Sequence, residues 1–351
     1  MTRTTRPLTA ALLAALAIPA AALAQPPAAL PPVPQPVAVG LSEPPPPPPG
    51  VTSHGTVYAH DEKTCGDLLI DGEYLLLAPR RPGQTYAVVG TNPFWGPVGT
   101  IKSVDGGYDS GLRVGAGWRF ADGGWDVMGR YAYFHSSADD VATRPAGGQV
   151  FATLTHPSTV VEVGGAYAQS SVNFNVFDLE IGKRFELGES ANARVFAGPR
   201  YANVDQALNV TYAGGDVVTD RVHRCTCFDG AGLRAGGEAN WRFLDHLGLY
   251  LRGSASLLTG RFHSCKFEEA NGFPIVDVAE RYTRVVPMVD MGVGLSFQKG
   301  NWRVSAGYEF INWFNMVDAS DFVDDAHPAK LIRSVGNLGF DGVVFRAELS
   351  F

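Results

Sequence analysis

Beyond residue 24 the sequence has no apolar run of about 18 residues, which excludes a membrane-spanning helix. Cysteine is scarce, at 4 in 351 residues, so the chain is no disulfide-dense scaffold. Basic charge is not in excess. Lys and Arg total 28 against 35 Asp and Glu, and losing Arg3 and Arg6 with the first 24 residues leaves 26 − 35 = −9. That balance does not indicate a nucleic-acid binder. Neither G-x-S-x-G nor H-E-x-x-H occurs, so no familiar hydrolase signature is present.

What is there begins with an export signal. Arg3 and Arg6 precede an apolar stretch over 8–21, and Ala22-Leu23-Ala24 supplies an A-x-A cleavage site. No cysteine follows that site, which disfavours a lipid anchor. Residues 25–64 read as a proline-rich periplasmic linker, with six consecutive prolines from Pro44 to Pro49. Residues 65–351 read as the folded domain, and strict alternation of apolar and polar residues runs through it. Phe351, Leu349, Ala347, Phe345 and Val343 share one strand face, while Glu348 and Arg346 fall on the other.

Ten such strands are expected, near 68–79, 108–120, 125–136, 172–187, 193–205, 228–243, 248–262, 288–297, 302–313 and 338–351. Tight connections at 121–124, 188–192, 244–247 and 298–301 alternate with long ones around 80–107, 137–171, 206–227, 263–287 and 314–337. Short and long connections in turn, on strands of membrane-crossing length, predict an all-β fold. It is a transmembrane antiparallel up-and-down β-barrel of ten strands, with twelve as the alternative. The chain is therefore expected in the outer membrane of a Gram-negative-type envelope.

Charge fixes which face is which. One parity places Arg113, Arg119, Arg130, Arg184, Arg194, Arg200, Arg234, Arg242, Arg252, Arg303 and Arg346 together. Asp126, Asp178, Glu180, Glu238, Asp290, Glu309 and Glu348 share it. Facing lipid, each midplane arginine would cost about 2–4 kcal/mol, so this set is expected to line the lumen. The count gives 11 − 7 = +4, or +2 with Asp109 and Glu186 at strand ends, and predicts anion preference in any conducting lumen. Lys183 and Arg261 fall on the lipid parity near strand ends, where they can snorkel. Trp118, Phe120, Trp125, Phe185, Trp241, Phe243, Phe297, Trp302 and Phe351 are expected in a periplasmic aromatic girdle. Tyr131, Tyr133, Tyr201, Tyr308 and Phe310 are expected in an outer one.

The segments YDSGLRVGAGWRF, FDLEIGKRF, RVFAGPRYANVD and ASLLTGRF resemble the Legionella major outer membrane protein type, over about residues 68–351. The resemblance implies a pore-forming outer-membrane barrel without catalytic residues, and it places Asp178, Glu180, Arg184 and Arg200 in the lumen. The six-proline segment and the cysteine-bearing loops depart from it.

A hairpin turning near Asp245-His246 sets Cys225 or Cys227 opposite Cys265. A disulfide is the first reading in an exported protein. The alternative is a metal site of His223, Cys225, Cys227, His263 and Cys265. Cys65 begins the first strand, a membrane thickness away. Two loop clusters test for catalysis: His135, Asp139 and Asp140, and Asp321, Asp324, Asp325 and His327. Charged loop tips are usually only solvated, so the chain is read as no enzyme.

The functional expectation is a narrow, arginine-lined pore for small solutes or ions. The alternatives are a closed structural or adhesive barrel acting through its external loops, and a barrel hydrolase. No cofactor is expected. The expected partners are outer-membrane lipids and the barrel-insertion machinery, read through the C-terminal strand; oligomers are open.

Overall fold

Strand-forming alternation extends much further along the chain than a membrane crossing requires. The computed structural model describes residues 66–90, 98–121, 123–323, 326 and 329–351. The expected signal, the proline-rich linker, Cys65, Asp324, Asp325 and His327 lie outside the described residues.

The described chain forms fourteen strands. They are β1 (Asp67–Arg80), β2 (Thr85–Gly90), β3 (Gly99–Ser103), β4 (Asp109–Arg119), β5 (Trp125–Thr143), β6 (Gln149–Ala152), β7 (Glu162–Val163), β8 (Gly165–Glu186), β9 (Ala191–Gly214), β10 (Val217–Arg242), β11 (Leu247–Ala270), β12 (Phe273–Lys299), β13 (Trp302–Phe322) and β14 (Leu331–Ser350). Ten of them close an antiparallel barrel in the order β1-β14-β13-β12-β11-β10-β9-β8-β5-β4. The remaining four form a separate sheet, ordered β3-β2-β6-β7. Closure is made by β1, which pairs with β14 on one side and β4 on the other. At that seam Leu68 and Phe351 exchange both backbone hydrogen bonds, at 3.0 and 2.9 Å.

The strand count agrees with the alternation. The long connections need correction. Segments 206–227 and 263–287 are not loops: β9 and β10 continue to a turn at Gly215-Asp216, and β11 and β12 to one at Asn271-Gly272. Asn271 and Gly272 both have positive φ, 52° and 81°, the backbone that two-residue hairpins favour. At 27 residues β12 is far longer than the 9–11 a tilted crossing needs, so the sheet rises well past the membrane. Leu208, Val210, Tyr212, Val222 and Val276 keep the inward alternation going above it and are buried.

The outer face of the lower barrel is apolar and exposed, as a lipid-facing surface must be. Trp118, Phe120, Trp125, Phe185, Trp241, Phe243, Phe297, Trp302 and Phe351 gather at the short-turn end. Lys183 sits in that girdle, its Nζ 5.1 Å from the Trp125 ring centroid and 5.6 Å from that of Phe185. At the other end of the band Tyr131, Tyr201 and Tyr308 turn their hydroxyls to Asn175, Asp229 and Asp341, giving wet tips on apolar rings.

Candidate functional site

Side chains on the inward parity meet in two stacked layers. The lower is ionic. Glu73 on β1 takes Arg113 of β4 and, at 2.9 Å, Arg252 of β11. Arg113 also donates to Glu309 of β13 at 2.9 Å. Asp178 accepts from Arg200 at 2.6 Å and Arg234 at 3.0 Å, and Arg200 lies 3.6 Å from Asp290 of β12. Arg194 joins Asp126 at 2.5 Å and Glu180 at 3.0 Å. Arg130 reaches Asp71 and Glu180, both at 3.4 Å. Arg346 contacts Glu238 at 3.1 Å and Glu348 at 2.5 Å, and Arg303 lies 3.4 Å from each. Four of the ten barrel strands' steps separate β1 from β11, so the Glu73–Arg252 pair crosses the lumen.

Most of the inward set inferred from alternation lies in this layer, but Arg119 and Arg184 are half-buried at the short-turn mouth and Arg242 is exposed there. Within the lower barrel that set lacks two buried members, Asp71 and Glu73, exposed by only 3% and 1%. Adding them changes the inward count from +4 to 11 − 9 = +2. Asp71 and Glu73 share parity on β1, but the run Leu75-Leu76-Leu77 hides it.

Above the ions lies an apolar layer drawn from every barrel strand except β4. Phe134, Phe174 and Phe340 form a triangle with centroids 5.2–5.4 Å apart. Phe228 packs on Phe262 at 4.8 Å, and Phe262 on Tyr282 at 5.1 Å. The ring of Phe228 fits because Gly230 and Gly260 lie beside it: a Cβ at either would come within 2.4 Å of that ring. Trp313 is fully buried here. These rings had a readable signal, since Phe174 and Val176 share parity with Asp178 and Glu180.

A second apolar cluster lies further out, where Tyr86, Val150 and Val163 of the small sheet pack on inward residues of the raised wall, including Ala168, Val210 and Tyr212. Tyr212 donates to the Tyr86 carbonyl at 2.6 Å, and Tyr86 to Asp140 at 2.9 Å. Nearby, Glu268 accepts the His156 backbone N–H at 2.7 Å and the Thr159 hydroxyl at 3.0 Å. Asp220 is fully buried, and neither of its carboxylate oxygens has a partner. Burial first, and then the charge of Glu268, push its carboxyl up to about 7.

The cysteines meet on the outer face. Cys225 pairs in register with Cys265, Cα atoms 5.0 Å apart, and the two are joined by a disulfide. Cys227 is free and opposite His263. Burial, then Asp205, push its thiol up to about 11. The ligand atoms of His223, Cys225 and Cys265 lie within 4.8 Å of one another, but the bridge uses both sulfurs. His223 instead contacts Asn209 at 2.6 Å. The first catalytic cluster is split by alternation: Asp140 points in to Tyr86, while His135 and Asp139 are exposed on the outer face. Asp321 is held by Arg224 and Lys266.

The family described as the Legionella pneumophila major outer membrane protein precursor matches the chain over residues 66–351. No curated protein matches the sequence. Among solved structures, the outer membrane protease OmpT from Escherichia coli is similar at 11% identity. The match covers 81% of this chain and 97% of that one, with a TM-score of 0.47. The toluene transporter TodX of Pseudomonas putida is similar at 7%, covering 81% and 89%, with a TM-score of 0.29. Ail, the attachment invasion locus protein of Yersinia pestis, is similar at 12%, covering 82% and 99%, with a TM-score of 0.23.

Proposed function

The chain belongs to the family of the Legionella pneumophila major outer membrane protein and is an outer-membrane β-barrel; on that premise we propose that it is a closed barrel working through its external β structure. The observation that carries this reading is the pair of layers spanning the lumen, one of ions and one of buried rings. A passage for solute would have to break both. Buried ion pairs lose about 3–5 kcal/mol when one partner is removed, and dense aromatic packing opens no gap without a comparable cost.

Eight-stranded barrels are filled by side chains, whereas sixteen or more strands leave a channel. At ten strands the interior is still narrow enough for arginines and phenylalanines to reach across it. A narrow arginine-lined pore is less favoured, because Arg113, Arg130, Arg194, Arg200, Arg234, Arg252, Arg303 and Arg346 are ion-pair partners. The chain's exposed investment is outside, in strands that rise past the membrane and a small sheet that packs inside their rim. We assign it no catalytic step.

Proteoliposome swelling tests the proposal. Vesicles with the folded protein should take up a small sugar no faster than empty vesicles. Uptake that scales with protein and falls with sugar size would overturn it.

A further inference from the structure

The short-turn mouth of the barrel holds a cavity of about 270 Å³ beneath the ionic layer. Seven arginines and five carboxylates line it, so its wall carries 7 − 5 = +2. Most of these charges are engaged with one another, but three arginines and the exposed Glu186 are not. Arg184 makes no side-chain ion pair or hydrogen bond among the described residues, and its Nε is buried without a partner. Arg119 is in the same state at Nε and reaches Asp67 only at 3.4 Å. Arg242 donates only to the Glu189 backbone carbonyl, at 2.6 Å.

The surroundings of Arg184 make its isolation costly. Its register partner on β9 is Arg194, whose guanidinium is already taken by Asp126 and Glu180. Arg119 repels it from β4, while Glu238, Glu348 and Asp126 attract it only from beyond ion-pair distance. A buried guanidinium N–H left unpaired costs the full desolvation penalty of a charged donor. Among the described residues no acceptor lies within hydrogen-bond distance of the Arg184 side chain, although the exposed Glu186 and the neutral amides of Asn192 and Asn240 share its wall.

We propose that this cavity binds a phosphate-class dianion entering from the periplasm, with Arg184 as its principal anchor and Arg119 and Arg242 elsewhere on the same wall. The planar fork of arginine presents two parallel donors to such an oxyanion. A double negative charge matches the surplus on the wall. The barrel wall separates the cavity from lipid headgroups, so the ligand is a soluble anion. The site opens toward the periplasm whether or not the lumen conducts, so it stands independently of the closed-barrel reading.

Titration calorimetry with inorganic phosphate on the folded full-length protein in micelles tests this, at constant ionic strength held with potassium chloride. One saturable site per chain is expected. Acetate should bind at least about tenfold more weakly, and Arg184→Gln should weaken phosphate binding by at least about tenfold. Arg184→Lys, which keeps charge but loses the fork, should fall between them. Heat-modifiable mobility on gels checks that each variant is folded, and Arg242→Gln gives a second readout if Arg184→Gln is not. Absence of a saturable isotherm, equal affinity for acetate, or undiminished binding in both folded glutamine variants would each overturn the proposal.

Discussion

Arg252 on β11 and Glu73 on β1 meet across the lumen, Nη1 to Oε1 at 2.9 Å. Glu73 also takes Arg113, and it lies 3.4 Å from Arg346. One carboxylate thus gathers arginines from three other strands. Glu73→Gln should leave those guanidiniums undercompensated in a buried layer and destabilise the barrel by about 3–5 kcal/mol. Urea unfolding in micelles reads this as a lower midpoint. A loss under about 1 kcal/mol would show that the network is dispensable.

The apolar layer gives a separable expectation. Phe340→Ala removes the ring shared by Phe134 and Phe174 and should cost about 3–5 kcal/mol. It should not open the barrel, because the ionic layer beneath is intact. Ion flux through folded Phe340→Ala would mean that the rings alone close the lumen.

The disulfide closes a loop with a sequence separation of 40. Chain-entropy reasoning puts its contribution near 4 kcal/mol, so Cys265→Ser should lower stability by at most about that amount. Peptide mapping without reduction should recover the Cys225–Cys265 bridge. Cys227, its thiol pushed up to about 11, should alkylate slowly at pH 8. Fast labelling there, or free thiols at both other cysteines, would contradict the arrangement.

Asp220 makes the raised wall sensitive to pH. Its carboxyl is pushed up to about 7 from an ordinary 3.8, so the folded state binds the proton more tightly than the unfolded state. Its contribution to stability is complete below about pH 4 and is lost as pH rises through 7. The groups facing it are Glu268 on β11 and Tyr212 on β9, with Arg224 and Lys266 further along. Amides near the β9–β10 turn should be at least about tenfold better protected at pH 5 than at pH 8, after correction for intrinsic exchange rates. Asp220→Asn should abolish that difference. Equal protection in the unaltered protein would refute the assignment.

Much of this is legible in the sequence. Arginines at 113, 200, 234 and 252 declare the inward face, because alternation leaves no other place for them. Hairpin arithmetic sets Cys225 or Cys227 opposite Cys265, and the register settles the bridge on Cys225. The filled interior was harder to read. Phe174, Phe228 and Phe340 are chemically indistinguishable from lipid-facing residues, and only tracing parity outward from Asp178, Arg234 and Arg346 separates them. The raised wall was hidden for another reason. A crossing needs about ten residues, so alternation beyond that length reads as loop. The unsatisfied Arg184 could not be foreseen, since pairing depends on which strands face across the lumen.

Single-channel recording of the folded protein in planar bilayers tests the central claim most directly. Fused into a membrane bathed in molar potassium chloride, the protein should give no stable conductance steps, and Glu73→Gln should give none either while its rings remain. Reproducible ohmic steps from the unaltered barrel would contradict the account, because ions would then be passing through both the ionic and the aromatic layer.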